Sequence, residues 1–168
     1  MSAMPWIPCP SCGRDLPPQQ RYTDVPLAGA RIAVSDAGES VRALWDGDLT
    51  TAWVTSGSHG DEWIEIAFPE PVVVSSVELR VPGRGRLYGR NLHVSVADGE
   101  GPFRRIGVVA ADPPPRPGEP PYMPRQVLLF DPVAARRLRI EQVAQAGKPW
   151  GVAELKLWTP FDRPPESR

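Results

Sequence analysis

Cysteine is nearly absent: the 168 residues hold only Cys9 and Cys12, too close together to staple a domain of this size, so disulfides do not carry the fold. Histidine is as scarce, with His59 and His93 alone. No second histidine stands at ligand spacing from either, and His93 falls on an outward strand position. No apolar run approaches the roughly 20 residues that span a bilayer, which argues against membrane insertion. Charge of one sign is also lacking, because 19 basic and 20 acidic side chains leave a net charge of −1. No long-range field then gathers phosphate backbones, and nucleic acid is not an expected partner. The opening residues lack the basic and apolar regions of an export signal, which makes a cytoplasmic location the default expectation. Catalytic signatures are missing too: there is no Gly-x-Ser-x-Gly, His-Glu-x-x-His or Gly-Lys-Ser run. The adjacent carboxylates Asp61 and Glu62 would project to opposite sides of a strand, so the expectation is a protein that is not an enzyme.

What is abundant is turn chemistry. The chain has 22 Pro, 15 Gly and six Trp set among short runs of Val, Ile and Leu, which favours an all-β domain with one hydrophobic core. In Trp63-Ile64-Glu65-Ile66-Ala67-Phe68 the side chains of Ile64, Ile66 and Phe68 share one face and Glu65 points to water. Val73, Val77, Leu79 and Val81 fall on one face of the next run, while Val72, Val74, Glu78 and Arg80 fall on the other. Leu92, Val94 and Val96 repeat the alternation up to the hairpin signal Asp98-Gly99. Phe103 to Val109, Gln126 to Phe130, Arg137 to Val143 and Val152 to Trp158 supply further strands. With the run ending at Val34, about eight antiparallel strands are expected, and Glu39 to Leu44 is the one plausible helical turn. The organisation expected is a Pro-rich tail over residues 1–24, a sandwich over 25–160 and a short tail over 161–168.

Two acidic side chains, a glycine and a threonine hydroxyl lie together in Ala43-Leu44-Trp45-Asp46-Gly47-Asp48-Leu49-Thr50-Thr51-Ala52-Trp53. A tight turn of this kind can aim carboxylates and carbonyls at a hard cation such as calcium. The alternative is a metal-free turn held by hydrogen bonds of Asp46 and Thr51. Cys9-Pro-Ser-Cys12-Gly13 is half of a zinc knuckle, and tetrahedral zinc would need a partner chain to supply the other ligands. Seven prolines between Asp112 and Arg125 mark an extended inter-strand loop, either a solvated connection or a polyproline ligand.

The run Ala-x-x-Asp-Gly-Asp-x-x-Thr-x-Trp, followed by Trp63-Ile64-Glu65-Ile66, Val-x-x-Val-Glu-Leu, Ser95-Val96-Ala97-Asp98-Gly99, Ala135 to Ile140 and Ala153-Glu154-Leu155, resembles the discoidin or coagulation factor 5/8 type C domains. Within that group it is similar to the family 32 carbohydrate-binding modules and to the N-terminal domain of galactose oxidase. The resemblance covers about residues 30–158 and implies a galactose-binding-like jelly-roll β-sandwich. It also implies a structural calcium or sodium ion, held by the carbonyls of Ala43, Asp48 and Ala153, the carboxylates of Asp46 and Glu154, and Thr51. Such an ion would clamp the early loop to the last strand.

Members that bind glycans use loops at one end, where an aromatic ring meets the apolar face of a hexose and polar groups take its hydroxyls. The candidates for that role here are His59, Arg84, Arg86, Tyr88, Arg90 and Trp150. The segment Gly147-Lys148-Pro149-Trp150-Gly151-Val152-Ala153-Glu154 is one residue shorter than the family's Gly-x-Pro-Trp-x-x-x-Ala-Glu, a deletion that would reposition the ring of Trp150. Trp53 and Trp63 are expected in the core. The loop arginines can also be solvated or paired with Glu78. Function therefore divides between a non-catalytic carbohydrate-binding module and a protein-interaction or scaffold domain. Loop tips rich in Arg, Gly and Tyr disfavour a membrane-surface binder.

Overall fold

Two long strands run through both layers of the molecule. The computed structural model describes residues 7–8, 15–16, 22–83, 87–111, 125–145 and 147–160. Its strands are β1 (Ile7–Pro8), β2 (Asp15–Leu16), β3 (Tyr22–Asp24), β4 (Arg31–Val34), β5 (Trp53–Val54), β6 (Trp63–Arg80), β7 (Leu92–Ala97), β8 (Arg104–Ile106), β9 (Val109–Ala111), β10 (Arg125–Gln142), β11 (Gly151–Val152) and β12 (Glu154–Pro160). A 3-10 helical turn spans Gly38–Leu44, matching the expected turn. Cys9, Cys12, Arg84, Arg86, the Pro-rich stretch 112–124 and the tail 161–168 lie outside the described residues.

One layer has the order β4, first half of β6, second half of β10, β7, β8. The other has β3, β12, second half of β6, first half of β10, β9. All of these pairs are antiparallel. Ile64, Ile66, Val94, Val96, Leu138 and Ile140 of the first layer meet Val77, Leu79, Leu128, Leu155 and Leu157 of the second in one buried core. Each such side chain contributes about 1.5–3 kcal/mol by leaving water.

The runs expected as separate strands are continuous because β6 and β10 bend together. Their register shifts between Ala135 and Arg137 and again between Leu129 and Val133. The first shift faces Phe68-Pro69-Glu70-Pro71, where the missing proline N–H groups cannot serve a regular ladder. The second reverses the phase expected for the following run. Val74 is fully buried with Val77, Leu79 and Val81, whereas Val73 is 47% exposed. The run expected over Phe103 to Val109 divides instead into β8 in one layer and β9 in the other.

The outward face of the first layer corrects two further expectations. Glu65 does not point to open water: it accepts from Arg139 Nη2 at 2.7 Å and pairs with Arg137 Nη1 at 3.4 Å. Trp63 is only half-buried, and the Arg139 guanidinium lies 4.7 Å from its ring centroid. It cannot be core, because Ile64 and Ile66 take the inward phase of the same strand. Trp53, by contrast, is fully buried and meets Trp150 edge to face, with centroids 5.2 Å apart.

Candidate functional site

Antiparallel pairing brings several loops to one end of the sandwich. Val34 at the end of β4 and Ile140 near the end of β10 both stand opposite Ile64 at the start of β6, and Val94 near the start of β7 stands opposite Ile140. The segments that leave or enter these strands therefore converge. Trp63 N–H donates to Ser35 Oγ at 2.9 Å, Thr55 N–H to Trp150 O at 2.9 Å, and Gly151 N–H to Leu87 O at 2.8 Å.

Three of the candidate ligand residues lie on these loops. His59 is exposed beside a cavity of about 450 Å³ also lined by Asp36, Ser56, Asp61 and Trp63. The Ser56 hydroxyl and amide, followed by the neighbouring Ala37 amide and His59 charge, hold Asp36 below the ordinary aspartate range against the opposing effect of burial. Tyr88 is 43% exposed, and the Arg90 guanidinium stacks over its ring at 4.2 Å. One ring face is thus covered by a cation, and the phenol remains accessible from elsewhere. Trp150 is placed differently from its candidate role: it is fully buried against Trp53 and offers no ring to a ligand. The ring adds to the core instead.

The backbone under Tyr88 and Arg90 is held by residues that the motif reading passed over. Gly89 N–H donates to Gln126 Oε1 at 2.8 Å, and Gln126 Nε2 returns a bond to Gly89 O at 2.8 Å. A side chain at position 89 would meet Leu92 and the Trp150 indole within 3 Å, so the close approach requires glycine. Arg90 N–H donates to Gln142 Oε1 at 2.9 Å, and Gln142 Nε2 donates to Glu62 Oε2 at 3.1 Å. Glu62 also accepts from His59 N–H and, at 3.0 Å, from Gly60 N–H. Burial pushes the Glu62 carboxyl up, but the donors from His59, Gln142 and Gly60 outweigh it and hold it below the ordinary glutamate range. A signal for these residues does exist in the sequence. Glu62 shares the inward phase of Ile64 and Ile66, and Gln142 that of Leu138 and Ile140, so both are polar residues in apolar positions.

The Asp46 loop is built from local bonds. Gly47 has φ 76°, which lets the chain fold back so that Asp48 N–H reaches Asp46 Oδ1 at 2.9 Å. Thr51 Oγ1 donates within reach of both Asp46 Oδ2, at 2.6 Å, and Asp48 O, at 2.9 Å. The Asp48 carboxylate turns away to the hydroxyl and amide of Thr50, which depress its pKa in that order. Ala43 is buried at the end of the 3-10 turn, and Ala153 is fully buried with its N–H on Arg80 O at 2.8 Å. Glu154 opens β12, lies 3.9 Å from Lys156 Nζ, and shares a groove of about 410 Å³ with Trp45. Among the described residues no three His, Cys, Asp or Glu side chains gather as a metal site. Clustered oxygens from a carboxylate, a carbonyl and a hydroxyl suit a hard cation and not zinc.

The architecture is an antiparallel β-sandwich with its loops gathered at one end. Residues 31–155 match the family profile of the F5/8 type C domain, and the chain belongs to that family. Its fold is similar to CpGH89CBM32-5 from Clostridium perfringens, solved in complex with GalNAc-β-1,3-galactose. That likeness has a TM-score of 0.65 and 12% identity over 82% of this chain and all (100%) of that one. The family 32 carbohydrate-binding module of Clostridium perfringens NanJ, solved with galactose, matches with TM-score 0.58 and 16% identity over 83% of this chain and 100% of that chain. The paired CBM32-1 and CBM32-2 domains of Clostridium perfringens ZmpB, solved with GalNAc, match at 0.64 and 14% identity, over 82% of this chain and 35% of that chain. At such identities the likeness is one of fold. No curated protein matches the chain.

Proposed function

We propose that this protein is a non-catalytic sugar-binding module that takes a galactose-like or uronic sugar on the loops carrying His59, Tyr88 and Arg90. The observation that carries the reading is the Tyr88–Arg90 pair: an exposed phenol ring with a guanidinium at 4.2 Å, on backbone clamped by Gln126 and Gln142. A ring and a fork of donors are what a hexose, apolar on one face and hydroxylated at its rim, requires. The solved complexes of similar modules with galactose and GalNAc support the ligand class.

The second part of the reading is a structural calcium ion at the Asp46 loop. Asp46, Thr51 and the Asp48 carbonyl already converge, and the carbonyls of Ala43 and Ala153 with the Glu154 carboxylate would complete the set. The ion would supply charge neutralisation and a cross-link between the loop and β12. A scaffold role has one observation in its favour, the cross-strand pair Val109 and Leu129, which are 68% and 37% exposed.

Titration of the protein with galactose, GalNAc and galacturonic acid, followed by amide chemical shifts, tests the sugar reading. Binding at about −4 to −6 kcal/mol is expected, because a shallow site gains little over water. Tyr88→Ala and Arg90→Ala should abolish it. Loop resonances that stay unmoved at millimolar sugar would leave the scaffold reading in place.

A further inference from the structure

We infer that Glu62 and Gln142 are positioning residues that lock the His59 loop and the Tyr88–Arg90 loop into one unit. The inference rests on the sugar reading only for what the unit is for; the coupling itself is a property of the free protein.

Gln142 is fully buried and has two neighbours of opposite demand. Its Oε1 must accept from Arg90 N–H, and its Nε2 must donate to Glu62 Oε2. An ionised carboxylate is acceptor only, so Glu62 dictates which way the Gln142 amide faces. If Gln142 turned over, its NH₂ group would confront the Arg90 N–H, donor against donor, in a site where unsatisfied donors are costly. Glu62 is itself 2% exposed and gathers the amides of His59 and Gly60 with its remaining acceptor capacity. One carboxylate therefore sets the backbone of its own loop directly and that of Arg90 through a single side chain. The main chain ties the pair at the same point, since Gln142 N–H donates to Glu62 O at 2.9 Å. A stacked Tyr88–Arg90 pair and His59 can then present fixed spacing to a ligand without ordering on binding, which is what lets a weak site bind at all.

The test uses amide hydrogen exchange on the full chain, with galactose titration alongside. Glu62→Met keeps the length but removes both acceptor oxygens, so the Gln142 NH₂ group loses the partner that orients it. The variant should speed exchange by about tenfold or more at Arg90, which it does not touch, as well as at His59 and Gly60. Gln142→Met, which keeps the volume, should in turn release the amides of His59 and Gly60. The exchanged pair Glu62→Gln/Gln142→Glu restores a donor–acceptor link of reversed polarity and should recover protection at Arg90. Galactose affinity should fall in each single variant and return in the pair. If each single variant disturbs only its own hydrogen-bond partners, or if the pair fails to restore Arg90, the coupling is overturned. Galactose binding that is unchanged in Glu62→Met also overturns the positioning role while leaving the sugar reading intact. Coupled amides in a protein that ignores galactose, GalNAc and galacturonic acid alike would support the clamp and sink the sugar reading.

Discussion

Two carboxylates organise loops in this molecule under opposite conditions. Asp46 is exposed and folds its own loop through bonds to Asp48 N–H and the Thr51 hydroxyl, partners two and five residues away. Glu62 is buried and holds together groups as distant in sequence as Gln142. Water can replace what Asp46 supplies, so that loop can give up its internal bonds to a cation at small cost. Glu62 is 2% exposed, and water can replace what it supplies only if the loops it holds move apart, so those loops are set before any ligand arrives.

The largest effect expected from this contrast is that of Glu62→Ala. It strands the amides of His59 and Gly60 and the Gln142 side chain, and should lower unfolding free energy by about 3 kcal/mol, measured by urea denaturation. A loss no greater than that of Asp46→Ala would remove the distinction between the two carboxylates.

Acid should reveal the same contrast. The folded pKa of Glu62 lies below its reference value of 4.5. Its contribution is therefore complete above that value and is lost as pH falls through the folded pKa. Stability measured from about pH 6 to pH 3 should decline less steeply in Glu62→Gln than in the parent. Some slope should persist, because Asp36 and Asp48 are also depressed. Parallel curves for variant and parent would show that Glu62 is not the principal source.

For the exposed loop, Asp46→Ala in chelator should cost about 1 kcal/mol, the value of a pair of local side-chain bonds. Calcium should raise the thermal midpoint of the parent by mass action and leave Asp46→Ala and Glu154→Ala unmoved. A midpoint that ignores calcium across a wide range counts against the ion. The smallest effect belongs to Tyr88→Ala, which should change stability by less than about 0.5 kcal/mol while removing sugar binding, since the ring lies on the surface. A large loss of stability there would mean that the Tyr88–Arg90 stack is part of the framework.

Local chemistry was legible without coordinates wherever one short stretch contains all the partners. Alternation set the inward faces of β7 and of the second half of β10, Asp98-Gly99 marked their hairpin neighbour, and the Asp46-to-Thr51 turn forms from its own residues. The ordered motifs identified the family because pattern and spacing both belong to the chain. Tertiary structure decided whatever depends on a second strand. Val74 replaced Val73 in the core because β6 slips against β10, and a bulge is a property of the pair. Trp53 is expected in the core, but that Trp150 joins it there and Trp63 does not follows from the pairing of β5 with β11 and from the inward phase of Ile64 and Ile66. The role of Gln142 was closed to reading along the chain for the same reason: its amide has meaning only between Arg90 and Glu62, 52 and 80 residues away.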